Sequence, residues 1–249
     1  RRHTRSLCDW SSDVCSSDLH PAVTTILCSD DYWARQRIPR PPLLPDRQIV
    51  NVNEGAKLAQ HMSCDWMAHI DCDEMIHPLI EIKQALTNAS FDALRFHLLE
   101  AVPESEQVAN IFASTIFRKE SNLLQRLAAH SLGCSRVFYQ GNYFRGHTSS
   151  KLLVKLDSKI TQHGIHQPLA CDADLVVSED PRIRLLHFYS AGIDDWIDKF
   201  EVCAQELQQN GGLDGVYSTS RKKQCLEYIK ARQNGASSVV SLYRKLFLL

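Results

Sequence analysis

Residues 66–70 form an apolar run, and Asp71, Cys72, Asp73 and Glu74 follow it directly. Three carboxylates within four residues repel one another and resist burial, so folding alone gains nothing from placing them together. Aspartates two apart point to the same face of an ideal strand. Just past a strand end, Asp71 and Asp73 could reach one hard cation, which takes oxygen ligands. Manganese or magnesium held there can neutralise a diphosphate and stabilise it as a leaving group. A solvated acidic turn is the plainer reading of the same four residues. On the metal reading, Asp73→Asn relieves a repulsion, leaves the fold intact and removes metal-dependent nucleotide binding.

The elements that must position these acids alternate. "AVTTIL" (22–27) is β-branched and reads as a strand, and "RQIVNV" (47–52) as a second. "EGAKLAQHM" (54–62) has helical spacing, and "WMAHI" (66–70) is the strand that ends in the acids. "PLIEIKQALTNA" (78–89) is amphipathic, and "FDALRFHLLE" (91–100) alternates as a strand does. Strands and helices at these intervals predict an α/β fold with a mostly parallel central sheet and crossover helices. Ligands of such sheets collect at the carboxyl ends of the strands, where the acids lie.

Further on, "RVFYQ" (136–140), "SKLLVKL" (150–156) and "IRLLHFY" (183–189) read as strands. Ile193, Trp196, Ile197, Phe200, Ala204 and Leu207 make a helical stripe, and "RKKQCLEYIKARQ" (221–233) adds another helix. The expected organisation is one domain over residues 20–210 with a helical extension over 211–249.

The 28 basic and 29 acidic residues leave a net charge of −1, which argues against a general pull towards nucleic acid or anionic membrane. No apolar run reaches the roughly 18–20 residues of a membrane span. The C-terminal "SSVVSLYRKLFLL" reads as an amphipathic helix packed on the body, with a membrane-surface contact as the alternative.

Residues 1–19 lack periodicity, and "DWSSDVCSSDL" within them resembles the translation of a common sequencing-library adapter. They are taken as an assembly artefact, so the natural chain is expected to begin upstream and the sheet to be incomplete at its N-terminus. Of nine cysteines, Cys8 and Cys15 fall in that segment. The remaining seven include no CxxC pair, which disfavours a zinc cage or disulfide framework. They read as small buried hydrophobes in a reducing compartment, and a cytoplasmic location is expected.

The stretch "NVNEGAKLAQHMSCDWMAHIDCDE" (51–74) resembles the heart of the family 2-type glycosyltransferases of GT-A fold. Their pattern of Asn-x-Gly-x-x-x-Ala, a turn, an apolar strand and Asp-x-Asp-Asp/Glu is met by Asn53, Gly55, Ala59, Asp71, Asp73 and Glu74. Asp65 and Trp66 before the strand, with the Asp-Glu ending, are most similar to a subgroup with a "DxDEF"-type motif. Met75 stands where an aromatic or aliphatic residue is usual. "LLHFYSAGIDDWIDKF" (185–200) resembles that subgroup's His-Tyr, Ser and Trp-x-x-Lys segment, and "HTSSKLLVK" (147–155) its short Gly-Lys stretch, although Gly146 is separated from Lys151.

The resemblance implies transfer of a sugar from a nucleotide-diphosphate donor to the hydroxyl of a glycan or other acceptor, with inversion and with Mn2+ or Mg2+. It implies donor binding at Asn53 and Asp71, metal binding at Asp71 and Asp73, and His187 as a third metal ligand. A buried strand histidine is the alternative for His187. Lys151 is a candidate for donor contact. Asp30 and Asp31 resemble the acidic position that touches the base or ribose, without the usual "D-x-S-x-D" form. Lys199 faces a phosphate or, as the preferred reading, is a solvated helix lysine. His163 and His166 read as an acceptor-cleft wall or plain surface.

Inversion needs a carboxylate base within reach of the attacking hydroxyl. Glu100, Asp194 and Asp195 are the candidates. Glu100 is preferred because helix N-capping already accounts for Asp194 or Asp195. Two other classes fit the acids less well. A non-catalytic binding domain would keep the fold without donor turnover. A phosphohydrolase of the haloacid dehalogenase type also places Asp-x-Asp after an apolar strand. Its motif continues with Gly-Thr or a similar hydroxyl residue, where Glu74, Met75 and Ile76 stand here.

Overall fold

Residues 44–61, LPDRQIVNVNEGAKLAQH, form one continuous helix in the computed structural model, which describes residues 26–87, 89–108, 110–131, 149–156, 159–189, 192–209 and 219–247. The β-branched 47–52 segment, expected as a strand, is therefore helical. Pro45 suits a helix start and Asp46 meets the positive end of the dipole. Val52 and Ala56, four apart, are the buried pair. That i, i+4 burial outweighs the strand preference of Ile49, Val50 and Val52. This helix is α2, after a short α1 (Asp30–Arg35). Val50 and Ile26 pack on Cys28, Tyr32 and Trp33.

The chain divides into two compact units. The first comprises Arg1–Cys72, Ser90–Leu94 and Lys151–Ser178. In it β1 (Trp66–Ala68) pairs antiparallel with β5 (Leu152–Lys155), Met67 standing opposite Val154. Ala93, at the start of β3 (Ala93–Ala101), packs with Leu152 and Val154, and Met67 and Ile160 lean on them. A small antiparallel ribbon joins β6 (Ile160–Gln162) to β7 (Ala170–Cys171).

The second unit comprises Asp73–Ala89, Arg95–Ser150 and Glu179–Leu249. Here β2 (Glu74–His77) runs antiparallel to β8 (Val177–His187), and β4 (Phe117–Arg118) antiparallel to β3. β3 and β8 run the same way, since Arg95 bonds Glu179 near their starts while Ala101 packs near Leu186 towards their ends. The expected α/β class holds, with a mixed sheet in place of a mostly parallel one. The reason is the range of the pairings. β1 finds its partner in β5 and β2 in β8, so the helices between successive strands do not act as parallel crossovers.

Helices α3 (Leu79–Leu86) and α4 (Leu123–Ser131) belong to this unit, and α5 (Ile193–Gln209), α6 (Thr219–Gln233) and α7 (Ala236–Phe247) build its main core. Ile193, Trp196, Phe200 and Cys203 of α5 meet Cys225 and Tyr228 of α6 and Val239, Tyr243 and Phe247 of α7. The C-terminal segment is thus packed on the body through its apolar face, as the first of its two readings had it. No described helix is long and apolar enough to cross a membrane.

The cysteines depart from expectation. Cys203 and Cys225 are buried, whereas Cys64, Cys72 and Cys171 are exposed. Cys28 is buried beside Tyr32 and Trp33. Residues 1–25, 132–148 and 210–218 lie outside the described residues, and with them the adapter-like segment, most of the "AVTTIL" strand, "RVFYQ" and Gly146.

Candidate functional site

β1 ends at Ala68, three residues before Asp71, so Asp71 and Asp73 lie in the turn between β1 and β2, where strand alternation no longer orders them. Each aspartate meets a lysine of its own. In the first unit the Lys151 ammonium, fully shielded from solvent, lies 3.0 Å from Asp71 Oδ2. Gln48 of α2 donates to Asp71 Oδ1 at 3.1 Å. Two residues earlier, burial and the Lys151 charge hold the His69 pKa below its ordinary value against the pull of Asp71. A neutral imidazole at pH 7 follows.

Asn53 faces elsewhere. Its amide donates to His163 O and its oxygen accepts from His163 N, both at 2.9 Å. This reciprocal pair fixes the 163–167 loop over a cavity of about 20 Å³ whose lining includes Val52, Met67, His69, His163 and His166. Such a space holds about one water. Asn53 is thus bonded to the His163 backbone, and His163 and His166 stand half-buried beside this space. Gly55, the family-like glycine of α2, has open space where a Cβ would stand, so packing does not require it.

In the second unit Lys199 of α5 extends to Asp73, with Nζ 2.8 Å from Oδ2. The same nitrogen donates to Tyr189 O at 2.5 Å, lies 3.4 Å from Asp195 Oδ2 and sits 5.3 Å from the centre of the Tyr189 ring. His187, buried at the end of β8 opposite Glu74, brings Nε2 within 3.9 Å of Asp73 Oδ2. Phe188 N donates to Asp73 O at 2.7 Å and holds the turn against β8. Burial raises the Asp73 pKa, but the Lys199 charge, His187 and hydrogen bonding outweigh it and hold the group far below the usual carboxylate range. Burial lowers the Lys199 pKa, and Asp73 and Asp195 more than restore it. Carboxylate and ammonium are both charged at neutral pH.

Lys199 is therefore not the solvated helix lysine expected from the sequence. The signal was present. Lys199 lies one position before Phe200 and three after Trp196, both fully buried, so it borders the core stripe of its helix.

The remaining candidates are dispersed. Glu100, only 1% exposed, pairs with Arg118, whose Nε and Nη2 lie 3.0 and 2.7 Å from Oε1. Arg118 was missed because its pairing depends on the β3–β4 register. Asp194 is exposed and Asp195 buried in the first turn of α5. Asp30 and Asp31 are exposed in the first turn of α1.

A divalent ion does not fit these side chains as they stand. Among the described residues no three His, Cys, Asp or Glu side chains gather to hold one. An ammonium already meets each of Asp71 and Asp73, and a metal at Asp73 would face the like charge of Lys199.

No known family profile matches the chain. Its sequence is similar to a glycosyltransferase-like protein of Arabidopsis thaliana, at 21% identity over 204 residues. The match covers 75% of this chain and 45% of that protein, so the chain spans less than half of its relative.

Proposed function

We propose that this chain is a glycosyltransferase, moving a sugar from a nucleotide-diphosphate donor to the hydroxyl of a glycan or other acceptor with inversion at the anomeric carbon. One observation carries the reading: each aspartate of the acidic turn is engaged by a lysine, Asp71 by the buried Lys151 and Asp73 by the partly exposed Lys199. A plain surface turn has no need of either ammonium. A fixed cation beside a strand-end turn, as Lys199 is beside Asp73, suits a departing diphosphate, whose negative charge grows as its bond to the sugar breaks. The resemblance over residues 51–74 and the similarity to a glycosyltransferase-like protein support the same class.

In the reaction the anomeric carbon loses its bond to the diphosphate oxygen, which leaves with the electron pair. The acceptor oxygen bonds to that carbon from the opposite face and gives its proton to a carboxylate. Glu100 could take the proton only after its pair with Arg118 opened. Asp194, exposed at the start of α5, is the open carboxylate of the three and the better candidate.

Thermal melting of the whole chain with uridine or guanosine diphosphate, in EDTA and in Mn2+, tests the reading. A binding nucleotide at 100 times its Kd contributes about 2.7 kcal/mol and raises the midpoint by about 5–10 °C. If neither nucleotide nor its hexose conjugates shift the midpoint in either buffer, the reading fails.

A further inference from the structure

We propose that the Lys199 ammonium is a tethered cation occupying a cation site, so that this end of the acidic turn binds no divalent ion. The inference rests on the proposed function only for its meaning to a diphosphate, since the site itself is argued from its own atoms. Lys199 Nζ is surrounded by the donors that a hard cation prefers: Asp73 Oδ2 at 2.8 Å, the carbonyl of Tyr189 at 2.5 Å and Asp195 Oδ2 at 3.4 Å. The Tyr189 ring, 5.3 Å from the nitrogen, adds a face that favours positive charge. Further out, His187 Nε2 stands 3.9 Å from the same Asp73 oxygen.

The geometry of the backbone supports this assignment. Asp73 is pinned through its own carbonyl to Phe188 N, and Glu74 lies opposite His187 in the β2–β8 pair. Tyr189 follows two residues later, and Asp195 and Lys199 are one helical turn apart on α5. Turn, strand end and helix therefore hold two carboxylates and a carbonyl around one point, and the chain supplies its own charge there. With the ammonium at that point, no group of three His, Cys, Asp or Glu side chains gathers among the described residues. Without it, Asp73 and Asp195 would lose the ammonium that they share. Such a pair draws a divalent ion or takes up a proton.

The test is direct binding of Mn2+ alone to the whole chain, followed by loss of the free-ion electron paramagnetic resonance signal. Wild type, Asp73→Asn, the single lysine variants Lys199→Ala and Lys199→Met, and the double variant Asp73→Asn with Lys199→Ala are compared. The expected result is no site in wild type that depends on Asp73. Both single variants should gain about one ion per chain, at least tenfold tighter than any wild-type binding, and the double variant should lose that gain. Binding by wild type that Asp73→Asn abolishes would overturn the proposal, as would a folded Lys199→Ala with no gain. Should the single variants melt early, a midpoint restored by Mn2+ supports the site, and one left unchanged at millimolar Mn2+ counts against it. Nucleotide binding takes no part in these readouts, so their failure is separate from failure of the transferase reading.

Discussion

An ammonium and a carboxylate that both keep only about a fifth of their exposure depend on each other, and Asp73 with Lys199 is such a pair, at 17% and 21%. Removing one partner leaves the other shielded and unpaired, which for a fully buried pair costs about 3–5 kcal/mol. The residual exposure reduces this, and Asp73→Asn is expected to lower stability by about 2–3 kcal/mol. That reverses the expectation drawn from sequence, where the three acids were taken to repel with nothing between them and the substitution to leave the fold intact. Urea unfolding at pH 7 should show a lower midpoint with unchanged slope. The pH dependence follows from the depressed Asp73 pKa. A carboxylate held below its unfolded value of about 3.9 contributes fully above that pH and loses the contribution as pH falls through the folded value. The gap between wild type and Asp73→Asn should stay level from about pH 8 to 5 and shrink below about pH 4. A gap that widens in acid would mean that Asp73 is not the ionised partner.

At the scale of elements, the α5 stripe was legible because Ile193, Trp196, Phe200 and Ala204 are buried at helical spacing. Trp196 is its centre, with no exposure and ring contacts to Phe200, Tyr228, Tyr243 and Phe247. Trp196→Ala removes the residue on which three helices converge, and a loss of about 3–5 kcal/mol in chemical denaturation is expected. A loss under about 1 kcal/mol would show that α6 and α7 do not depend on it. The 47–52 segment was misread because its β-branched residues carry both periods, and only the Val52–Ala56 burial decides between them. β2 went unseen for a different reason. Four residues, Glu74–His77, offer too short a pattern, and their pairing depends on β8 more than a hundred residues away.

At the scale of the whole molecule, what a single sequence conveys ends where long-range pairing begins. The acidic run and His187 were visible as candidates, yet nothing local shows that Lys199 and Lys151 would reach Asp73 and Asp71 across 126 and 80 positions. Nor could alternation of helix and strand reveal that β1 and β2 pair antiparallel with distant strands. Composition, by contrast, reports on the molecule without any pairing. With 28 basic against 29 acidic residues there is no excess charge to drive attraction to polyanions. Non-specific nucleic-acid binders reach dissociation constants of about 10⁻⁴–10⁻⁶ M through released counterions. Fluorescence anisotropy of a labelled random duplex should therefore stay flat to about 100 μM chain at 150 mM salt, with no steep rise on dilution of the salt. Micromolar binding that falls steeply with salt would reveal a basic surface that the charge balance does not lead one to expect.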